Sequence, residues 1–189
     1  MFSDDNRLIT ECLQGRTEAF GELVRRYQDR LYNTVYRLTG NAEDAQDIVQ
    51  ETFLNAYLSL DSFKGESLFF TWLYRIAVNT ALSLKRRSRR LVAQRIKARL
   101  NDEELEPSDN SEDSQPGLAL ERAEEERRIQ SILNRLSPEH RAVLILKDIE
   151  GQKYETMADI LGVPVGTIRS RLHRARMELR ELLKQLDKG

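Results

Sequence analysis

The sequence predicts an all-α chain: two small helical domains joined by an acidic, flexible linker. Three observations carry this. Apolar residues recur at helical spacing through residues 1–99 and again through 119–189. Nothing alternates with period two over a useful length, so no strand is expected. Between the helical zones, Asn101 to Pro116 carries seven acids (Asp102, Glu103, Glu104, Glu106, Asp109, Glu112 and Asp113), no base, and few apolar residues. Such a segment buries too little surface to offset its ordering entropy, so 100–118 reads as a tether.

In the first zone Thr17 stands where a helix N-cap belongs. Phe20, Leu23, Val24, Tyr27, Leu31, Val35 and Leu38 then mark one face of a long helix that Gly40 ends. Asn41 can cap the next helix, with Glu43 and Asp44 in its first turn, where negative charge suits the helix dipole. That helix presents Ile48, Val49, Phe53, Ala56 and Leu60. A polar loop, Asp61 to Ser67, leads to a third helix showing Phe69, Trp72, Leu73, Ile76, Ala77 and Thr80. It runs into a basic cluster: Ser83 to Arg99 has eight Lys and Arg residues and no acid.

In the last zone Ile129, Ile132, Leu133 and Leu136 form a stripe. Ser137-Pro138-Glu139 supplies an N-cap, a proline at the first helical position and an early acid. Ala142 to Ile149 is almost wholly apolar, which predicts a central helix, and Glu150-Gly151 breaks it. A short helix from Tyr154 to Leu161, the turn Gly162-Val163-Pro164 and a long helix from Val165 to Leu186 complete the chain.

The net charge of -1 conceals strong segregation of acid and base along the chain, a pattern of macromolecular interaction. Cys12 is the single cysteine, so no intrachain disulfide can form. Its place beside Leu8, Ile9 and Leu13 predicts a small buried apolar group. The first residues lack the basic-then-apolar pattern of a signal peptide, and no apolar run approaches the about 20 residues of a membrane span. A cytoplasmic protein with no membrane insertion is expected. Two isolated histidines and one cysteine offer no metal site. The sequence has no glycine-rich phosphate loop and no nucleophile–base set, so neither catalytic residues nor cofactors are expected.

The last two helices carry the first functional signal. Two helices joined by a tight glycine turn, the second one basic, form a helix-turn-helix. Ala158 is small where the helices must cross, and Gly162 permits the left-handed turn. In the second helix Ile168, Leu172, Ala175 and Leu179 share one face, expected inward. Thr167, Arg169, Ser170, Arg171, His173, Arg174 and Arg176 are left to face DNA. Arginine can donate two parallel hydrogen bonds to guanine or to phosphate. By itself this motif suits a self-sufficient DNA-binding regulator equally well.

The first zone breaks that tie. The run Asp44-Ala45-Gln46-Asp47-Ile48-Val49-Gln50-Glu51-Thr52-Phe53-Leu54-Asn55-Ala56-Tyr57 precedes Phe63-Lys64-Gly65-Glu66-Ser67. Phe70-Thr71-Trp72-Leu73-Tyr74-Arg75-Ile76-Ala77-Val78-Asn79 and Lys85-Arg86-Arg87 follow. In order and spacing this resembles region 2 of the extracytoplasmic-function sigma factors of bacterial RNA polymerase, the sigma-E/sigma-W type. Leu136-Ser137-Pro138-Glu139 through Gly151, Tyr154-Glu155 and Pro164-Val165-Gly166-Thr167-Ile168-Arg169-Ser170-Arg171 resembles their region 4. Together the two matches span nearly all of the chain outside the tether.

The resemblance implies a transcription initiation subunit that binds core polymerase, reads −10 and −35 promoter elements and assists DNA melting. Its partners would be core RNA polymerase (the β′ clamp helices and the β flap), promoter DNA and an anti-sigma factor in a stress response. The edge Asp47, Gln50, Glu51 and Asn55 would meet the clamp helices; an acidic, hydrogen-bonding edge suits a basic helical partner. Phe63, Lys64, Gly65, Ser67, Phe70 and Asn79 would read the −10 strand, with a flipped base held in a pocket. Arg86 and Arg87 would hold upstream phosphates. Trp72 lies at helical spacing with Phe69, Leu73 and Ile76, which favours core packing over a strand-separating wedge. The tether is either a plain solvated link or, as the family suggests, a chain threaded toward the RNA exit path. Two departures stand out. Gln152-Lys153 lack the short hydroxyl that usually caps the first helix of the motif, and Leu68-Phe69 make the loop's end unusually apolar.

Overall fold

Several helices begin where a side chain caps them or end where a glycine turns the chain. In this computed structural model, which describes residues 2–99 and 118–186, helix α1 spans Phe2–Leu13, α2 Glu18–Thr39, α3 Ala42–Leu58 and α4 Phe69–Arg99. Beyond residue 117, α5 spans Leu118–Arg135, α6 Pro138–Leu144, α7 Tyr154–Leu161 and α8 Val165–Leu186. A 3₁₀ turn, Leu60–Ser62, follows α3, and no strand occurs among the described residues. The expected acidic tether lies outside the described residues as far as position 117.

The Asn41 side chain accepts from the Asp44 N–H at 2.9 Å, and Ser137 accepts from the His140 N–H at 3.2 Å. Both satisfy donors that a helix start leaves open. Thr17 does not cap α2: its backbone is already helical and its side chain makes no cap bond. α7 starts at Lys153, also without a side-chain cap, as its lack of a hydroxyl predicted. Gly40 and Gly162 close α2 and α7 with left-handed φ of 71° and 62°.

α1 to α4 wrap a core that includes Leu23, Leu31, Val35, Ile48, Leu73 and Tyr74. Cys12 is buried in it, and burial pushes its thiol pKa up. α1 is tied to α2 by charge. Arg26 bridges Asp4, at 2.5 Å, and Asp5, while the Tyr27 hydroxyl donates to Asp5 at 2.5 Å. Burial, reinforced by the Asp5 carboxylate, pushes the Tyr27 hydroxyl up to about 12.

α5 to α8 bury Leu136, Ala142, Val143, Ile145, Met157 and Ile168. The expected helix from Ala142 to Ile149 is interrupted. α6 gives way at Ile145 to a π turn that runs to Ile149. The wider turn swings Ile149 to the surface, so the apolar run is buried only as far as Leu146. The apolar cores of the two halves meet in one cluster.

Candidate nucleic-acid interface

Three faces collect the residues singled out by sequence. The first is the outer edge of α3. Asp47, Gln50, Glu51 and Asn55 are all exposed there, one to two turns apart. The structure adds Leu54, Tyr57 and Leu58 beside them, with Leu58 69% exposed. Leu54 and Leu58 stand at i, i+4 but off the stripe of Ile48, Phe53 and Ala56. That displacement is the sequence signal that could have found them. The edge is therefore acidic with an apolar flank.

The second face is the loop before α4. Gly65 has φ 72°, a conformation side chains rarely adopt, and nothing lies within 4 Å of the space a Cβ would fill. Gly65 thus makes a turn with open space on its outer side. Lys64 is exposed, Ser67 half-buried, and Asn79 exposed two turns beyond Trp72 on α4. Phe63 is half-buried, its ring 5.8 Å from Phe69 and 5.4 Å from Trp72.

Phe70 requires a correction. It is 7% exposed, lies 4.2 Å from the Tyr74 ring and 5.1 Å from Tyr27, and carries the Arg30 guanidinium over its face at 4.2 Å. It belongs to the floor under the loop and offers no surface to a base in this arrangement. The apolar Leu68-Phe69 end hid this, because helical spacing alone could not choose between Phe69 and Phe70, and both are buried. Trp72 falls between its two readings: it packs against Phe69 at 5.8 Å, yet it is half-buried and lines a cleft. Lys64, Ser67, Thr71 and Arg75 share that cleft, and Asp159 and Ile160 of α7 form its far wall. Thr71 and Arg75 went unnoticed in the sequence because each sits among core residues of α4. Arg86 and Arg87 lie on α4, with side chains outside the described set.

The third face is α8. Ile168, Leu172 and Ala175 are buried and Leu179 half-buried, so the inward stripe is the expected one. Arg169, Ser170, His173, Arg174 and Arg176 are exposed, and Thr167 and Arg171 half-buried. Arg169 stands 6.0 Å over the Tyr154 ring, which steadies a long side chain at the start of the helix. The Ser170 hydroxyl donates to the Thr167 carbonyl at 3.0 Å, leaving its lone pairs outward. Arg176 is already engaged: its Nη2 lies 2.5 Å from the Asp148 carboxylate, which raises the guanidinium pKa further. Its position braces α8 against the π turn, so its geometry differs from that of Arg169 and Arg174.

Between α5 and α8 an apolar groove opens, lined by Ile129, Leu133, Ile149, Leu179 and Leu183. Among the described residues no group of His, Cys, Asp and Glu could hold a metal ion, and no helix is long and apolar enough to cross a membrane.

Two family profiles match: Sigma-70 region 2 over residues 23–91 and Sigma-70, region 4 over residues 126–179. The RNA polymerase sigma-H factor of Pseudomonas aeruginosa is 37% identical over 185 residues, covering 96% of this chain and 95% of that protein. The ECF RNA polymerase sigma-E factor of Haemophilus influenzae is 38% identical, covering 91% of each. Among solved structures, CnrH in complex with the cytosolic domain of CnrY has a TM-score of 0.68 at 28% identity and covers 96% of this chain and 98% of that one. The sigma factor RpoE with the anti-sigma factor NepR from Bartonella quintana has a TM-score of 0.66 at 30% identity, covering 87% and 96%.

Proposed function

The chain belongs to the extracytoplasmic-function sigma factors of bacterial RNA polymerase, and from that premise we propose how its three faces divide the work. The α3 edge of Asp47, Gln50, Glu51 and Asn55 binds the β′ clamp helices. Leu54 and Leu58 add apolar contact beside the acids, a pairing suited to an amphipathic basic helix. The groove between α5 and α8 receives the β flap; its walls are almost wholly apolar, which favours an apolar helical tip.

The loop from Leu60 to Phe70 and the start of α4 read the −10 strand. Phe63, Lys64, Gly65, Ser67 and Asn79 are the reading set, and Arg86 and Arg87 hold phosphates upstream. Phe70 supports the loop from below. Trp72, Thr71 and Arg75 line the cleft where a flipped base would lodge: an aromatic face to stack on and polar groups for its edge. Asn79, with both donor and acceptor, can read a base edge.

α8 lies in the major groove of the −35 duplex. Thr167, Arg169 and Ser170, at its N-terminal end, meet base edges, while Arg171, His173 and Arg174 hold backbone phosphates. Arg176, paired to Asp148, positions the helix and reaches phosphate only if that pair opens. The observation that carries this reading is the alternation along α8: a buried apolar stripe and an opposite row of exposed arginines, released by the Gly162 turn.

The protein acts as a polymerase subunit in the cytoplasm and contributes no bond-making chemistry of its own. The structurally similar RpoE was solved with an anti-sigma factor. We extend that mode of control to this chain, in a stress response.

The decisive experiment adds the purified chain to core polymerase on fragmented genomic DNA and maps transcript 5′ ends. Starts that share −10 and −35 sequences, and that require both components, are expected. A tight sequence-specific footprint by the chain alone, with no gain in initiation from core polymerase, would instead mark a self-sufficient helix-turn-helix regulator.

A further inference from the structure

We propose that Glu150 is the centre of an intramolecular latch that holds the two halves of the free protein together and keeps α7 over the −10 cleft. The latch stands on contacts within the chain. Its consequence for promoter binding rests on the reading above.

Glu150 follows the π turn, and Gly151, with φ 65°, turns the chain sharply behind it. Its side chain is 7% exposed, although it belongs to a surface loop of the second half. It is buried against α2 of the first half. Arg30 Nη2 lies 3.0 Å from one carboxylate oxygen, and the Thr34 hydroxyl donates to the other at 2.6 Å. Thr34 in turn is hydrogen-bonded to the Tyr74 hydroxyl of α4. Burial holds that hydroxyl well above the ordinary tyrosine range, with the Glu150 charge acting in the same direction. One carboxylate thus joins the second half to both α2 and α4. A buried carboxylate is costly unless it is paired and hydrogen-bonded. Here every partner lies in the other half, so Glu150 has a reason to be buried only while the halves are docked.

One turn further on, the C-terminal end of α2 is also filled from the second half. Its last carbonyls lack helical partners. Arg141 of α6 donates to the Leu38 carbonyl at 2.8 Å, and Gln130 of α5 to the Arg37 carbonyl at 3.2 Å. A guanidinium at the negative end of a helix dipole is favourable as well. The Asn134 side chain of α5 also lies over Gly40, its Oδ1 2.2 Å from where a Cβ would stand.

On the far side of the same interface, Asp159 and Ile160 of α7 wall the cleft of Lys64, Ser67, Trp72 and Arg75. α7 is the helix next to the −35 reader. On B-DNA, −10 and −35 elements lie about 25 base pairs, or about 85 Å, apart at about 3.4 Å per pair. A helix that touches one reading surface and adjoins the other cannot span that distance. The docked halves must part before both elements are read, and parting breaks the Glu150 contacts.

The single tryptophan reports on the latch, since Trp72 lines the covered cleft. The test compares the full chain with Glu150→Lys, Thr34→Val and the exchange Arg30→Glu/Glu150→Lys. The measurements are acrylamide quenching of Trp72 and the radius of gyration from solution scattering. Helical circular dichroism confirms folding. Glu150→Lys should raise the quenching constant at least two-fold and enlarge the radius of gyration. Thr34→Val, which keeps the side-chain shape and removes only the hydroxyl, should move both the same way by less, its folding checked by the same circular dichroism. The charge exchange should return both toward the parent. If Thr34→Val and a folded Glu150→Lys leave both readouts unchanged, or if the exchange fails to reverse a folded Glu150→Lys, the latch is wrong. Neither polymerase nor DNA enters the measurement, so its outcome is separate from that of the initiation assay.

Discussion

The two surfaces proposed to read DNA in this sigma factor are built in opposite ways. The first half uses a loop that rests on an aromatic floor of Phe69, Phe70, Tyr27 and Tyr74. The second half uses one 22-residue helix whose apolar stripe faces inward and whose arginines stand outside the core. A loop surface suits the proposed capture of a base removed from its stack, since a cleft opens beside it. It can also be covered, as α7 covers it here. A helix surface fits a preformed groove and stays presented. In the proposed function the loop serves a melted strand and the helix a duplex, and the two shapes suit those two substrates.

The comparison is broken most forcefully at the cores. Leu73 of α4 and Leu136 after α5 are both fully buried. Either changed to Ala should cost about 2–5 kcal/mol, read by chemical denaturation. If the halves are docked as described, each change should lower the unfolding midpoint of both together. Two separate transitions, with one unmoved, would mean that the halves stand independently.

A smaller effect separates the two surfaces. Arg169→Ala should weaken −35 duplex binding by the holoenzyme by about 1–3 kcal/mol through a lost base contact. Arg174→Ala should weaken it across sequences and flatten the salt dependence by about one counterion. Lys64→Ala should leave duplex binding intact and impair open-complex formation. Equal losses from Arg169→Ala and Lys64→Ala in a −35 duplex assay would erase the division of labour.

The caps give a contrast of about 1 kcal/mol. Asn41→Ala in the first half should lower stability by about that amount. Lys153→Ser in the second half should raise it by a similar amount, because α7 starts without a side-chain cap. Thermal melting of the two variants checks the opposite signs.

The effect furthest from neutral pH is an alkaline dependence at Tyr27 in the first half. The Tyr27 hydroxyl titrates near 10 when unfolded and at about 12 when folded. Its folded pKa is raised, so the contribution is complete below pH 10 and is lost as pH rises through 12. Stability should fall across that window, and Tyr27→Phe should flatten the fall. An unchanged alkaline slope in Tyr27→Phe would show that Tyr27 does not link the folded state to pH.

The helix starts at Asn41 and Ser137, the glycine stops at Gly40 and Gly162, and the inward stripe of α8 were legible because each is a local matter. A capping side chain reaches only three residues, and a 3.6-residue period shows which positions share a face. The acidic α3 edge was legible for the same reason, and Leu54 and Leu58 beside it were available in principle. Phe70, Arg176 and Ile149 were not. Whether Phe70 or Trp72 meets the cleft depends on what lies beneath the loop, on α2. Whether Arg176 is free depends on an acid 28 residues away. The π turn that exposes Ile149 leaves no mark in an apolar run.

By itself, then, the sequence determined most of the helices, the caps at Asn41 and Ser137, the faces and the family to which they belong. Only the tertiary structure decided that Glu150 should be buried against Thr34 and Arg30, and that Arg141 should finish a helix 103 residues before it. Local order follows from steric and hydrogen-bonding rules that act over one or two turns. A contact between distant residues follows from the one packing that brings buried polar groups such as Glu150 to their partners, and no short window of sequence contains that packing.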